Sequence, residues 1–108
     1  PLTLPIKHGD WLSIRSGSGA KDVQARDVSG HNPGSILFYL PANGIAITGD
    51  AIFKESIGRT DLPGSDHVLL MKNLREQVLT LPEETILIPG HGEATTVAHE
   101  RRHNPFLA

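Results

Sequence analysis

Three glycine-containing turns each carry a side chain that can bind a metal ion. They are Ser29-Gly30-His31, Thr48-Gly49-Asp50 and Pro89-Gly90-His91. The chain has no cysteine, and imidazole and carboxylate are the ligands that suit zinc, iron or manganese when thiolates are absent. Each turn follows an apolar run, so a rigid sheet could direct all three side chains to one point. The repetition predicts metal ligation by His31, Asp50 and His91, although each residue taken alone also fits an ordinary turn.

Short apolar runs predict the strands that position these turns. The runs are residues 2–6, 11–14, 23–28, 35–40, 44–48 and 85–88, with a polar turn at Lys7-His8-Gly9-Asp10 and a flexible loop at residues 16–19. Residues 23–28 alternate between apolar and polar side chains, as half-buried strands do. Residues 35–40 and 44–48 are almost continuously apolar, which predicts a hairpin of strands buried on both faces. Residues 85–88 predict a short buried strand, and the glycine and proline breaks in residues 51–65 predict a long surface loop.

Two helices are predicted late in the chain. The first has Asp66 as its N-cap and runs to about Leu81, because apolar residues recur at helical spacing before Pro82 ends the pattern. These residues are Leu70, Leu74, Val78 and Leu81. The second begins near Thr95 or Thr96 and ends before Pro105, because the residue before a proline avoids helical geometry.

Size and composition indicate a single globular unit. The chain has 108 residues, 38% hydrophobic residues and a formal net charge of -2, which fits one domain or part of one. Neither a basic patch nor an apolar run of membrane-spanning length occurs, so we expect neither nucleic acid nor a membrane as partner. We expect a cytoplasmic protein.

The order and spacing of several motifs resemble the C-terminal half of the metallo-β-lactamase fold. The stretches Gly30-His31-Asn32-Pro33-Gly34-Ser35, Thr48-Gly49-Asp50 and Gly90-His91-Gly92 carry this resemblance. Residues 56–64 (SIGRTDLPG) and 100–106 (ERRHNPF) resemble, more narrowly, the glyoxalase II-like hydrolases of that superfamily. The resemblance implies an α/β fold in which residues 1–108 form the C-terminal half of an αββα sandwich, with one mostly antiparallel sheet and two helices. The N-terminal half would be absent.

The same resemblance implies a two-metal site. His31 would bind the first metal, Asp50 would bridge both and take part in catalysis, and His91 would bind the second. The cofactors would be two divalent ions, zinc first, with iron or manganese as alternatives. A metal-bridged hydroxide would attack a small-molecule thioester such as hydroxyacylglutathione. Arg59 stands where glyoxalase II enzymes contact the glutathione carboxylate; a solvated arginine or a salt bridge to Asp61 is the alternative.

This chain also departs from the family pattern. The motif His-x-His-x-Asp-His, which supplies further ligands, does not occur in it. We therefore expect the chain alone to bind metal weakly and to be inactive, and to need either a partner chain or a restored N-terminal half. A catalytically silent half-domain is the alternative of another class. Asp61 and Glu93 stand where glyoxalase II enzymes have tyrosines of the glutathione pocket. The thiol component of the substrate, glutathione or another thiol, is therefore not assigned.

The sequence also contains a second metal-binding motif and a loop shared with another family. His99-Glu100-Arg101-Arg102-His103 matches H-E-x-x-H, a zinc-protease motif, but no downstream third ligand follows and we expect an ordinary C-terminal helix. Persulfide dioxygenases, which use one iron, share the Gly-Arg-Thr-Asp loop. Residues 89–92 nevertheless resemble the two-metal hydrolases more closely, so the iron protein is kept as a further alternative.

Overall fold

The fold is a mixed α/β arrangement built on one large sheet. The computed structural model describes residues 11–16, 19–32 and 35–107, with side chains from Asp22 onward. The predicted strand at residues 2–6, the turn at His8 and residues 17–18 of the predicted loop lie outside these ranges. Along the chain the strands are β1 (Trp11–Ser16), β2 (Gly19–Asp27), β3 (Ile36–Leu40), β4 (Ile45–Gly49), β5 (Ile52–Phe53), β6 (Ser56–Ile57), β7 (Ile86–Pro89) and β8 (Thr95–Thr96). The helices are α1 (His67–Asn73), continued by a π-helical segment (Leu74–Val78), and α2 (Val97–His103).

The strand order of the large sheet is β1-β2-β3-β4-β7-β8. Neighbouring strands are antiparallel except for β4 and β7, which run parallel in the register Ile45↔Ile86 and Ile47↔Ile88. The connection between these two parallel strands contains α1, as expected for a crossover. The predicted hairpin β3–β4 is confirmed by the pairing of Phe38 with Ile47. The prediction of one mostly antiparallel sheet with two helices is therefore correct.

The core lies between the sheet and the helices. One face of the sheet contributes Leu37, Ala46 and Leu87, all fully buried. The helical segments contribute Leu70, Leu74, Val78 and Val97 to the same cluster. Helix α1 begins as predicted, with the Asp66 side chain accepting a hydrogen bond from the Leu69 backbone N–H at 3.0 Å. In α2 the Thr96 side chain accepts from the His99 N–H and fills the same role.

The opposite face of the sheet is open where β4 and β7 meet. Ile47 is 43% exposed, Ile86 43% and Ile88 37%. The prediction that residues 35–40 and 44–48 form strands buried on both faces is therefore wrong, because Ile47 is exposed and most of β3 is only half-buried. The strand at residues 85–88, predicted to be buried, is likewise exposed at Ile86 and Ile88. The apolar composition of these strands is that of a sheet covered on two sides, but in the part of the chain that the structure describes only the helical side is covered.

Residues 51–65 are not simply a surface loop, contrary to the prediction. Strands β5 and β6 form a two-stranded ribbon in which Ile52 pairs with Ile57 and Phe53 with Ser56. Ala51 and Ile52 are buried, and the Gly58 N–H donates to the Ala51 carbonyl at 2.9 Å. The ribbon therefore rises from the core directly after Asp50, beside the predicted site.

Candidate metal and substrate site

The loop that carries His31 is fixed by helix α1. Asn73 Nδ2 donates to the Ser29 carbonyl at 3.0 Å. The Asp66 N–H donates to the Gly30 carbonyl at 2.7 Å, and Ser65 Oγ donates to the His31 carbonyl at 3.0 Å. Three successive carbonyls, those of Ser29, Gly30 and His31, are thus hydrogen-bonded by α1 and the two residues directly before it. The His31 backbone is positioned by the start of the helix as much as by the strand before it.

The imidazole of His31 is oriented by a main-chain oxygen. Its Nδ1 lies 2.7 Å from the carbonyl oxygen of Arg59, and because a carbonyl only accepts, Nδ1–H is the donor. In the neutral ring the other nitrogen, Nε2, then carries the free lone pair. Metal-bound histidines commonly make this kind of second hydrogen bond, which fixes both the tautomer and the ring plane.

Asp50 and His91 meet at the ends of two parallel strands. Asp50 follows β4 and His91 follows β7, so the parallel pairing brings both to one edge of the sheet. His91 Nδ1 lies 3.4 Å from Asp50 Oδ1, with the two side chains 76% and 47% exposed respectively. The ring of Phe53 packs beside that of His91, with centroids 4.7 Å apart and planes tilted by 45°. Both ligand candidates are therefore ordered yet open to solvent.

Two glycines leave room for these side chains. A Cβ at Gly90 would lie 2.8 Å from Asp50 Oδ1, and one at Gly58 would lie 2.1 Å from the Asp50 carbonyl oxygen and 2.9 Å from His31 Cβ. All three distances are below ordinary van der Waals contact. The main chain at Gly58 and Gly90 therefore approaches Asp50 as closely as only a residue without a side chain allows.

All four predicted site residues line one pocket. Its volume is about 350 Å³, and it is lined by His31, Asp50, Phe53, Ser56, Ile57, Arg59 and His91. Phe53, Ser56 and Ile57 come from the β5–β6 ribbon and were missed by sequence reasoning, because two-residue strands leave no periodic pattern. The one available signal was their position between two predicted site residues, Asp50 and Arg59.

The donor types fit a metal site, but the set is incomplete. Two imidazoles and a carboxylate suit zinc, iron or manganese, and His31 has the hydrogen bond expected of a ligand. Within residues 11–16, 19–32 and 35–107, however, no three His, Asp or Glu side chains are close enough together to hold an ion. His31, Asp50 and His91 thus fit metal ions as contributors to a shared set of donors and not as a closed site.

Arg59 is paired with Asp61. Its Nε lies 2.8 Å from Asp61 Oδ1 and its Nη2 lies 3.0 Å from Oδ2, a bidentate ion pair. The hydrogen bond from Arg59 lowers the pKa of the Asp61 carboxyl, and the same bond raises the pKa of the guanidinium. The salt bridge considered as the alternative is therefore present, although Arg59 also faces the pocket. A substrate carboxylate would have to share the Arg59 guanidinium with Asp61 or displace Asp61 from it.

The H-E-x-x-H motif on α2 does not form a zinc site. The carboxyl group of Glu100 is fully buried and accepts hydrogen bonds from Glu55, Thr95 and Asn104. His99 Nε2–H donates to Glu55 Oε2 at 3.0 Å. Neither Glu100 nor His99 is free for metal chemistry, so the expectation of an ordinary helix is consistent with these contacts.

Family comparison supports the same fold. The Metallo-beta-lactamase superfamily profile matches residues 6–91. The chain belongs to this superfamily. The expected resemblance is thereby confirmed, and members of the superfamily are generally hydrolases that bind two divalent metals.

Curated relatives carry names of the same kind. The probable metallo-hydrolase YqgX of Bacillus subtilis and the hydroxyacylglutathione hydrolase GloC of Haemophilus influenzae are each 45% identical over 78 residues, which are 72% of this chain and 37% of each relative. The crystal structure of TTHA1623 in a di-iron-bound form is 40% identical with a TM-score of 0.82, and the match covers 99% of this chain and 50% of that one. This superfamily chain therefore spans half or less of these relatives. No helix among its described residues is long and apolar enough to cross a membrane.

Proposed function

We propose that the chain is the C-terminal half of a two-metal thioester hydrolase, with hydroxyacylglutathione as the model substrate. The observation that carries this proposal is the convergence of His31, Asp50 and His91, from three separate strand ends, on one pocket that Arg59 also lines. The name of the Haemophilus influenzae relative supports the substrate class. A second domain half would supply the remaining ligands.

In this proposal each residue has a defined task. His31 presents Nε2, because its Nδ1–H is held by the Arg59 carbonyl. Asp50, whose Oδ1 lies 3.4 Å from His91 Nδ1, would offer its carboxylate to the metal ions, and His91 lines the pocket from the end of β7. The bound metal pair would supply a nucleophilic water near neutral pH and charge stabilisation at the substrate carbonyl. Arg59 is the candidate contact for an anionic group on the substrate.

The second candidate is a catalytically silent half-domain. It is favoured by the lack of any three-donor group in the part of the chain that the structure describes, since an open site binds metal weakly. A persulfide dioxygenase-like protein would differ again, because it would hold one iron instead of two metals.

The test compares the 108-residue chain with an assembly that restores the N-terminal half. Bound metal is counted by elemental analysis, and hydrolysis of S-lactoylglutathione is followed. We expect activity and two metal equivalents only in the assembly, lost on His31→Ala or His91→Ala and retained on His103→Ala. Activity that survives both of the first two changes would refute the ligand assignment. An assembly that hydrolyses no thioester would refute the proposed activity. Activity of the 108-residue chain alone would exclude the silent half-domain, which needs a partner or its N-terminal half, and one iron per assembly would favour the dioxygenase.

A further inference from the structure

Glu100 is a fully buried acidic residue that the proposed chemistry does not use. Its Oε1 accepts from the Glu55 backbone N–H at 2.8 Å and from Asn104 Nδ2 at 2.8 Å, and its Oε2 accepts from Thr95 Oγ1 at 2.6 Å. A buried carboxyl group is costly unless such bonds satisfy it. Two of these three bonds involve groups that belong to, or directly hold, the β5–β6 ribbon.

The ribbon's turn depends on these bonds. Glu55 has φ = 59°, the one left-handed non-glycine residue in the described part of the chain, and such a conformation is strained unless its surroundings hold it. Its N–H is held by Glu100. On the other side of the turn, Asn104 Nδ2 donates to the Ser56 carbonyl at 3.0 Å. Glu100 and Asn104 lie one helical turn apart at the end of α2. They therefore bind two successive residues of the ribbon, Glu55 in its turn and Ser56 at the start of β6.

The ribbon in turn forms one wall of the pocket. Phe53, immediately before the turn, packs its ring 4.7 Å from the ring of His91. Ser56, whose carbonyl Asn104 binds, lines the same pocket. A shift of the turn would therefore move Phe53 relative to His91.

We propose that Glu100 and Asn104 are positioning residues, which hold the β5–β6 ribbon from α2 so that Phe53 fixes the ring of His91 in the pocket. The importance of His91 rests on the proposed function, but its placement does not. A purely structural role of Glu100 in anchoring α2 would leave the environment of the His91 ring unchanged in the folded protein.

The test uses two matched changes at position 100. Glu100→Gln keeps the reach of the side chain, and its Oε1 can still accept from Glu55 and Asn104 while its amide donates to Thr95. Glu100→Asp keeps the charge but is one methylene shorter, so it cannot span the same partners. We expect the NMR resonances of the His91 and Phe53 rings to move in the folded Asp variant and to stay near their native positions in the Gln variant.

Asn104→Ser tests the same contact from the other side of the turn, and we expect it to move the His91 ring resonances in the same direction. Val78→Ala is the control, because Val78 is a buried core residue of the π-helical segment and belongs neither to the ribbon nor to α2; it should lower stability and leave the His91 ring unmoved. Native-like His91 and Phe53 resonances in both folded Glu100→Asp and Asn104→Ser would overturn the proposal.

A measurement on the native chain covers the case in which these variants do not fold. The Glu55 amide should be protected from hydrogen exchange to the same degree as the amides of α2; rapid exchange would overturn the proposal. The outcome is separable from that of the proposed function. If the His91 resonances move in the variants but the native assembly hydrolyses no thioester, the proposed function is refuted and the inference is retained. If the native assembly is active but the resonances stay unmoved in the variants, the inference is refuted and the proposed function is retained.

Discussion

Arg59 reaches the pocket with its charge already neutralised by Asp61. The hydrogen bond from Arg59 lowers the pKa of Asp61 in the folded chain. The pair therefore contributes its full stabilisation at pH values above the unfolded-state pKa of Asp61, and this contribution is lost as the pH falls through the lower folded-state pKa. We expect Arg59→Ala to raise the pKa of Asp61 toward the ordinary aspartate range, measured by carbon NMR titration. Lys54→Ala, which breaks a separate surface ion pair with Glu93, is the control. A pKa of Asp61 that stays low in Arg59→Ala would contradict the assignment.

The space beside Asp50 is a second requirement at the residue scale. A Cβ at position 90 would press on Asp50 Oδ1 at 2.8 Å, so Gly90→Ala must turn the carboxylate away from its present orientation. Disturbing a ligand's surroundings typically costs about 10–100-fold in metal affinity or activity. We expect a loss of that order in S-lactoylglutathione hydrolysis by the assembly, with little change in melting temperature.

Gly64→Ala is the matched control for this loss of space. Gly64 lies in the loop before α1, and a Cβ there would meet no atom within 4 Å, although its φ is +87°. It therefore shows the effect of a glycine-to-alanine change that crowds no atom, and it includes a backbone strain that Gly90, which is not among the left-handed glycines, does not have. Equal effects of the two substitutions would mean that the contact with Asp50 is irrelevant.

At the scale of elements, the packing of α1 on the His31 loop decides where that loop lies. Gly30 has φ = +144°, and a Cβ there would fall 2.3 Å from Leu70 Cβ and 2.5 Å from Leu70 Cα. Since backbone atoms cannot yield as a side-chain tip can, Gly30→Ala must push the helix and the loop apart. We expect destabilisation by at least about 1–3 kcal/mol, measured by urea denaturation. Gly44→Ala, at φ = +63° in open space, should cost less; equal costs would show that strain alone is responsible.

Some elements of the fold could be predicted from local sequence patterns, and others could not. The hairpin, the Asp66 cap and the start of α2 follow from apolar runs and capping residues, which are local signals. The β5–β6 ribbon and the π-helical segment do not, because two-residue strands have no period and the bond from the Leu79 N–H to the Leu74 carbonyl has no signature in residue type. The tasks of Glu100 and Asn104 depend on partners more than forty residues away, so no local pattern could reveal them.

At the site, the sequence indicated which residues converge but not what orients them. His31, Asp50 and His91 stand out because of their chemistry and the glycine beside each. The Arg59 carbonyl that holds His31 and the Phe53 ring that packs on His91 come from a loop whose path is set by tertiary contacts. The residues that line the pocket were therefore predictable from residue type, whereas the orientation of their side chains required the fold.

At the scale of the whole molecule, the proposed second domain half would account for both the lack of a three-donor group among the described residues and the open sheet face. The chain spans half or less of the relatives compared above, and the strands whose composition suits burial on two faces are covered on one. A domain half that packs on Ile47, Ile86 and Ile88 would cover apolar surface, while its own ligands could complete the pocket at the strand ends.

We expect the open face to set the affinity of the chain for the other domain half. Ile47 and Ile88 are register partners in β4 and β7 and both are exposed, so Ile47→Thr with Ile88→Thr should preserve the fold, because threonine also favours strands. Covering the exposed part of each isoleucine is worth about 1 kcal/mol, so the pair should weaken association roughly thirtyfold, measured by calorimetry against a polypeptide comprising the N-terminal half. Val68→Thr, which alters an exposed apolar residue on α1, is the control and should leave the affinity unchanged. If the double substitution has no greater effect than Val68→Thr, the second half does not pack on this face, because burial of the two isoleucines would then contribute nothing to association.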